Sequence, residues 1–192
     1  AKIDAVKRAV GIAGRYFLFV GTMEPRKNLA RILEAFKSVS GALPEHQLVL
    51  VGSKQFAHGK YSEILGRDHA LADGRIVAPG YLDHESLNAL YCGADALIFP
   101  SLYEGFGIPI LEAMASGCPV LTAAATSTPE VAGKAAVFVD PRDTSAIAAG
   151  MKCLALDETL RSELRLKGFE RIKKFSWQKT ARETIEVYKE LL

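Results

Sequence analysis

Short, uninterrupted runs of apolar residues alternate with helical patterns along the first three quarters of the chain. Such runs are typical of parallel strands that are covered on both faces. They lie at 16–20, 48–51, 96–99 and 119–122, with a weaker run at 75–77. Between them, apolar residues recur at helical spacing: Leu29, Ile32, Leu33, Phe36 and Val39, and later Leu87, Leu90 and Tyr91. This alternation predicts a doubly wound α/β fold with a parallel sheet, in which ligands lie beyond the carboxyl ends of the strands.

The last quarter of the sequence, from about residue 145, has only helical patterns. Ile147, Met151 and Leu154 share one helical face. Ser176 is expected to cap a last helix, whose apolar residues are Ile185, Tyr188 and Leu192. No repeat or linker interrupts the sequence, so we predict a single domain over 1–192 with C-terminal helices at about 145–192.

Charge and hydropathy exclude several classes of protein. With 24 Lys and Arg against 22 Asp and Glu, the formal charge is +2, and the basic residues form no long block. Binding to a nucleic-acid backbone needs such a block, so nucleic acid is not an expected partner. No apolar run approaches the roughly 18 residues of a membrane span, and the first residues do not resemble a signal peptide. Spanning of a membrane and secretion are therefore disfavoured.

The cysteines and histidines give no sign of a metal site. Cys92, Cys118 and Cys153 lie far apart in apolar sequence, which predicts buried free thiols and a cytoplasmic location. The histidines lie in polar or turn-like sequence and are predicted at the surface: His46, His58, His69 and His84. No Cys/His pair has zinc spacing, and the glycine motifs of nicotinamide dehydrogenases and P-loop nucleotidases are absent from the sequence.

The segment from Phe99 to Gly117 has the pattern of a strand end, a glycine turn and a short helix. Pro109 suits the first helical position, because its φ is preset, and Gly117 suits the end of the helix. The helix would then begin next to Gly105 and Gly107, which permit close approach of the backbone. Free N–H groups and the positive end of the helix dipole make such a turn a site for an anion such as a phosphate.

Two glutamates, Glu104 and Glu112, flank this turn and the helix start. The predicted helix is apolar nearly all round, so Glu112 is expected to be buried. The vicinal hydroxyls of a sugar would satisfy both of its carboxylate oxygens. The alternative is structural: Glu112 interacts with the helix dipole or pairs with a core arginine, and Glu104 is a solvated loop residue.

A second candidate segment, from Gly21 to Asn28, directly follows the first predicted strand. Asn28 is expected to cap the helix that begins at Leu29, which leaves Arg26 and Lys27 on the loop side. There the two cations would neutralise a departing diphosphate. The alternative is a solvated, charged turn.

The stretch E-G-F-G-I-P-I-L-E, from Glu104 to Glu112, resembles the signature of the retaining glycosyltransferases of family 4. The similarity covers nearly the whole chain, because further segments fall where that family places its motifs: 21–27, 80–82, 99–101, 115–120 and 129–131. Members of the family have two Rossmann-like halves in the GT-B arrangement, and the C-terminal half holds most of the donor nucleotide sugar. The resemblance implies that this chain is such a half, with an N-terminal acceptor-binding half as its partner.

The resemblance also implies roles for single residues. Lys27 matches the lysine that contacts the donor diphosphate, Glu104 the glutamate that faces the transferred sugar, and Glu112 the glutamate that binds ribose. The backbone at 106–108 matches the stretch beside the sugar and phosphates, and 81–82 matches the segment beside the base. The implied catalytic residues are Arg26, Lys27 and Glu104, and the implied donor-binding residues are Gly21, Thr22, Tyr81, Leu82, Ser101, Gly105, Phe106, Gly107, Ile108 and Glu112.

Thr22 departs from the family pattern, since many members carry arginine directly after the glycine that corresponds to Gly21. Arg26 is the candidate to supply that charge. The run G-T-M-E-P-R-K-N is similar to a bacterial branch assigned as mannosyltransferases, which implies GDP-mannose as the donor. The implied activity is transfer of a hexose, with retention, to a glycan, lipid-linked or other acceptor, with no metal or other cofactor. The isolated half is expected to be inactive alone, and any peripheral association with the inner face of the cell membrane would come from the missing half.

Two other functions fit the same features. A nucleotide-sugar epimerase or a glycogen-phosphorylase-like protein would share the sheet but not the spacing of the glutamates. A binding or regulatory module would keep the nucleotide-sugar pocket and perform no chemistry. Analysis of the products separates the first function from a transferase. Comparison of hydrolysis or transfer by this chain with that by the full-length protein separates the second.

Overall fold

The computed structural model of the chain describes residues 2–53 and 74–190. Within them, six strands form one sheet: β1 (Arg15–Val20), β2 (His46–Val51), β3 (Ile76–Gly80), β4 (Ala96–Phe99), β5 (Val120–Ala123) and β6 (Val137–Val139). All neighbouring strands are parallel, in the order β3-β2-β1-β4-β5-β6. The predicted doubly wound α/β fold is confirmed.

Helices lie on both faces of this sheet, which explains the uninterrupted apolar runs. The α-helices of the described residues are α1 (Lys2–Val10), α2 (Leu29–Val39), α3 (His84–Gly93), α4 (Ile108–Ala115), α5 (Thr128–Ala132), α6 (Thr144–Leu156), α7 (Glu158–Ile172) and α8 (Trp177–Glu190). Of these, α8 buries no residue and belongs to neither core. Phe17 and Phe19 belong to the core that includes α2 and α6, whereas Leu18 belongs to the core that includes α3 and α4. Each strand of the centre therefore buries both of its faces.

The strands differ from the sequence prediction mainly at their ends. β2 begins at His46, two residues before its predicted start, and β3 continues from Ile76 to Gly80, beyond the predicted end at Val77. The short edge strand β6 was not predicted from the sequence. It has only three residues, Val137–Val139, and follows an alanine-rich segment, so no clear period-two pattern marks it.

The order of the strands reverses at β1, which lies between β2 and β4. β1 pairs with β4 at Phe17–Ala96 and Leu18–Leu97. The loop at 21–28, after β1, and the turn at 100–107, after β4, therefore lie side by side at the carboxyl edge of the sheet. This reversal point is where doubly wound folds bind their ligands.

The C-terminal part is helical, as predicted. Ser176 caps α8 by accepting a hydrogen bond from the Lys179 N–H at 3.1 Å. Ile185 and Tyr188 of α8 are exposed, and Leu192 lies outside the described residues. Each helix among residues 2–53 and 74–190 is too short or too polar to cross a membrane. That the whole chain is a single domain stays a prediction.

His46 corrects the expectation that the histidines are surface residues. As the first residue of β2 it is 3% exposed, and its ring stacks on Phe17 with centroids 5.2 Å apart. Its Nε2 lies 2.9 Å from Asp95 Oδ2, which also accepts from Arg15 at 2.8 Å. Burial opposes ionisation of Asp95, but the hydrogen bonds from His46 and Arg15 hold its pKa below the usual value. His84 is exposed, as predicted, and His58 and His69 lie outside the described residues.

The cysteines also depart in part from the prediction. Cys118 is a buried free thiol, and burial raises its pKa above the usual value. Cys92 and Cys153 are free but exposed, so the expectation that they are buried is wrong. Both lie in amphipathic helices whose buried faces are formed by other residues, such as Leu90 in α3 and Leu154 in α6. Apolar neighbours in the sequence do not show which face of a helix a residue occupies.

Candidate functional site

Lys27 lies at the end of the loop after β1 and is buried, with 7% of its surface exposed. Its Nζ donates to Glu104 Oε1 at 2.7 Å and lies 4.7 Å from the centre of the Phe99 ring. The side chain passes close to Gly21, where an added Cβ would lie 3.5 Å from Lys27 Cε. A solvated turn is therefore excluded for Lys27.

Arg26 is more exposed than Lys27 and contacts two carboxylates. It donates to Glu104 Oε2 at 3.2 Å and to Glu24 Oε2 at 2.7 Å. Thr22 donates in turn to Glu24 Oε1 at 2.6 Å, so this threonine helps to hold the carboxylate that orients Arg26. The hydrogen bonds from Thr22 and Arg26 lower the pKa of Glu24. Sequence reasoning missed Glu24, because its contacts with Thr22 and Arg26 depend on how the loop folds back on itself.

Glu104 bridges the two cations from the turn after β4 and is itself 7% exposed. Its backbone is fixed as well, because its N–H donates to Thr126 Oγ1 at 3.2 Å and its carbonyl accepts from Ser127 Oγ at 3.0 Å. A solvated loop position is thus excluded for Glu104. Sequence reasoning missed Thr126 and Ser127, whose contacts depend on the loop after β5 lying beside this turn.

Two loops are joined by Asn28 and by the backbone of Arg26. The Asn28 side chain donates to the carbonyls of Pro100 at 2.9 Å and Pro141 at 2.6 Å. The Leu102 N–H donates to the Arg26 carbonyl at 2.7 Å. The prediction that the Asn28 side chain caps α2 is wrong: Asn28 is at the N-cap position but is left-handed, with φ 63°, and its side chain makes no capping bond. It instead fixes the loop after β1 against the turn after β4.

The glycine turn leads into α4 as expected, with a shift of one residue. The helix begins at Ile108, so Pro109 is its second residue. Gly107 is left-handed, with φ 102°, and an added Cβ would lie 3.1 Å from Ile110 Cδ1. Gly117 has φ 70° and follows Ser116, the C-cap residue of the helix. Gly105 and Phe106 are exposed beside the helix start. Pro109 has no N–H and the Ile110 N–H donates to the Gly107 carbonyl at 2.9 Å, which leaves the N–H groups of Gly107 and Ile108 at the helix start for a ligand.

Glu112 lies on α4 and is half-buried, so the expectation of a fully buried carboxylate is wrong. The helix buries Ile110, Ala113 and Met114, but Ile108 on another side is 48% exposed. Glu112 accepts a hydrogen bond from the Tyr91 hydroxyl at 3.0 Å. It lies beyond the first turn of the helix, and among the described ion pairs it has no arginine partner.

The remaining predicted residues lie at the same edge of the sheet. Ser101 is 1% exposed, and its Oγ has no hydrogen-bond partner in the part of the chain that the structure describes. Tyr81 and Leu82 follow β3, which β2 separates from β1, and Tyr81 is 78% exposed. The structure brings Arg26, Lys27 and Glu104 into contact and places 81–82 farther along the edge. In the described ranges, no three His, Cys, Asp or Glu side chains come together to hold a metal ion.

Comparisons with known proteins agree with this architecture. The family described as "Glycosyl transferases group 1" matches residues 4–171. O-antigen chain mannosyltransferase B of Escherichia coli is 37% identical over 175 residues, which are 91% of this chain and 45% of that protein. This chain therefore spans about half the length of this relative.

Solved structures show the same fold. Sucrose-phosphate synthase from Thermosynechococcus elongatus is 27% identical, with a TM-score of 0.82 over 98% of this chain and 48% of its own. HepE from Anabaena, determined in complex with UDP-glucose, is 18% identical, with a TM-score of 0.84 over 100% of this chain and 53% of its own. The fold is that of one half of a GT-B glycosyltransferase, and the chain belongs to the group 1 glycosyltransferase family.

Proposed function

We propose that this chain binds a nucleoside-diphosphate sugar as the donor half of a retaining hexosyltransferase. The observation that supports this most directly is the position of Arg26, Lys27 and the glycine turn. They meet at the point where the strand order reverses, and Asn28 joins the two loops there. Cations and free helix N–H groups at such a point suit a diphosphate.

The chemistry of transfer follows from this arrangement. As the bond between the sugar and the diphosphate breaks, negative charge grows on the diphosphate and the anomeric carbon becomes oxocarbenium-like. Lys27, Arg26 and the N–H groups at the start of α4 would stabilise that charge, more strongly in the transition state than in the ground state. Glu104 would face the hydroxyls of the transferred sugar. In the structure it pairs with both cations, so the diphosphate would have to share or replace those contacts.

The proposed donor is GDP-mannose, since an O-antigen mannosyltransferase is among the relatives. Calorimetric titration with GDP, UDP and ADP and with a sugar derivative of each should give the tightest binding for GDP and GDP-mannose, unchanged by a chelator. A requirement for added Mg²⁺ would contradict the metal-independent part of the proposal. NMR shifts upon GDP addition should cluster in the loop at 21–28 and the turn at 100–107. Shifts confined to other regions would contradict the site.

Glu112→Gln tests the ribose contact. The substitution keeps the shape of the side chain but turns an acceptor oxygen into a donor. We expect it to weaken GDP and GDP-mannose alike by about 1–3 kcal/mol, because both ligands carry the ribose. Glu163→Gln, on the exposed face of α7, is the control and should bind both ligands as the parent does. Equal affinity of Glu112→Gln and the parent would refute the ribose role.

Transfer itself is proposed to need the N-terminal half. The isolated chain should bind the donor without forming a glycosidic product, whereas the full-length protein should form one. A full-length protein that binds the donor but makes no product would favour the binding or regulatory module, and an epimerised nucleotide sugar would favour the epimerase. The cytoplasmic location and the association with the membrane face through the other half stay predictions.

A further inference from the structure

Tyr91 connects two helices that flank the proposed site. It lies in the last turn of α3, where it is 2% exposed, and its hydroxyl donates to Glu112 Oε2 on α4 at 3.0 Å. A second contact joins the same helices, since Ser116 Oγ lies 2.9 Å from Asn88 Oδ1 and 2.8 Å from the Glu112 carbonyl oxygen. Glu112 is thus held at both its backbone and its side chain.

The direction of the hydrogen bond between Tyr91 and Glu112 is fixed by chemistry. Burial, and then the charge of Glu112, raise the pKa of Tyr91 far above its usual value. The phenol therefore keeps its proton and acts as the donor over the whole range in which proteins are stable. A carboxylate offers two oxygens with about four acceptor positions, so Tyr91 takes one of these and leaves others for a ligand.

We propose that Tyr91 is a positioning residue that fixes the Glu112 carboxylate for the two hydroxyls of the ligand's ribose. This inference rests on the proposed function, in which Glu112 binds ribose. The ribose hydroxyls must both find acceptors in a site that is only half-exposed, and a carboxylate held by a buried phenol has fewer orientations to lose on binding. Tyr91 itself does not contact the ligand.

The test measures discrimination rather than affinity alone. GDP, UDP and ADP are titrated against the chain together with their 2′,3′-dideoxy counterparts. For each pair, the dissociation constant of the dideoxy form is divided by that of the ribose form. The parent should prefer the ribose forms. Tyr91→Phe removes only the hydroxyl and should lower this ratio about three- to tenfold, as expected for one lost hydrogen bond. In a Glu112→Ala background, Tyr91→Phe should leave the ratio unchanged.

Tyr16→Phe is the matched control. Its hydroxyl is also buried and donates to the Leu90 carbonyl of the same helix α3 at 2.7 Å, but on the core side. The Tyr16→Phe variant should lower thermal stability about as much as Tyr91→Phe does. It should leave the ratio of dissociation constants at the parent's value. A Tyr91→Phe ratio equal to the parent's would overturn the positioning role. If the parent binds no nucleotide, or binds ribose and dideoxy forms equally, the ribose role of Glu112 fails first and the role of Tyr91 fails with it.

Discussion

Lys27→Met is expected to lower the free energy of unfolding by about 3 kcal/mol and to weaken GDP binding roughly ten- to hundredfold. The loss of stability arises because Glu104 stays buried, with only the partly exposed Arg26 as a counter-ion. Removing one partner of a buried pair typically costs about 3–5 kcal/mol. The loss of affinity reflects one missing charged hydrogen bond to the diphosphate, about 1.5–3 kcal/mol.

The double variant Lys27→Met/Glu104→Gln separates these two effects. A neutral glutamine side chain in place of the Glu104 carboxylate no longer needs a cation, so urea unfolding should show much of the lost stability restored. Calorimetry, in contrast, should show no recovery of GDP affinity. Lys167→Met, which removes an exposed helical pair with Glu163, should change neither quantity measurably. If the double variant is as unstable as Lys27→Met, the buried pair is not the cause. If Lys27→Met binds GDP as the parent does, Lys27 is structural only.

The central part of the fold could be predicted because each strand there carries its own signal. The runs in β1, β2 and β4 are apolar on both faces, which in a chain of this length requires helices above and below the sheet. β6 carries no such signal, since its three residues obtain their register only by pairing with β5. The burial of His46 could not be predicted either, because its ring nitrogen is satisfied by Asp95, a residue 49 positions away.

The location of the site could be predicted, but its internal contacts could not. The rule that ligands lie at the carboxyl ends of strands led to the loops after β1 and β4, and the resemblance assigned Lys27 and Glu104. The contact between these two residues joins positions 77 apart and needs β1 to lie directly beside β4. The side chain of Asn28 likewise binds carbonyls that only the folded chain brings near, which is why a capping role was the wrong expectation.

We expect Gly52→Ala to destabilise the fold strongly, although it adds only one methyl group. Gly52 follows β2 and has φ 147°, and an added Cβ would overlap the Gly21 carbonyl oxygen. The Gly21 oxygen belongs to the backbone, and the position of the Cβ is fixed by the backbone of residue 52, so no side-chain rotation relieves the overlap. Overpacking and an unfavourable φ cost about 1–3 kcal/mol each, so we expect a loss of about 2–6 kcal/mol in urea unfolding.

The same substitution also tests whether the loop after β1 belongs to the site. Gly21 must move away from the added methyl group, and Lys27, whose side chain runs beside Gly21, would move with it. We therefore expect folded Gly52→Ala to bind GDP more weakly than the parent. Gly41→Ala is the control, because an added Cβ there meets nothing within 4 Å and its φ is not in the left-handed region. Parent-like stability of Gly52→Ala would contradict the close approach of the two backbones. Lower stability with parent-like GDP affinity would instead place the diphosphate away from the Gly21 loop.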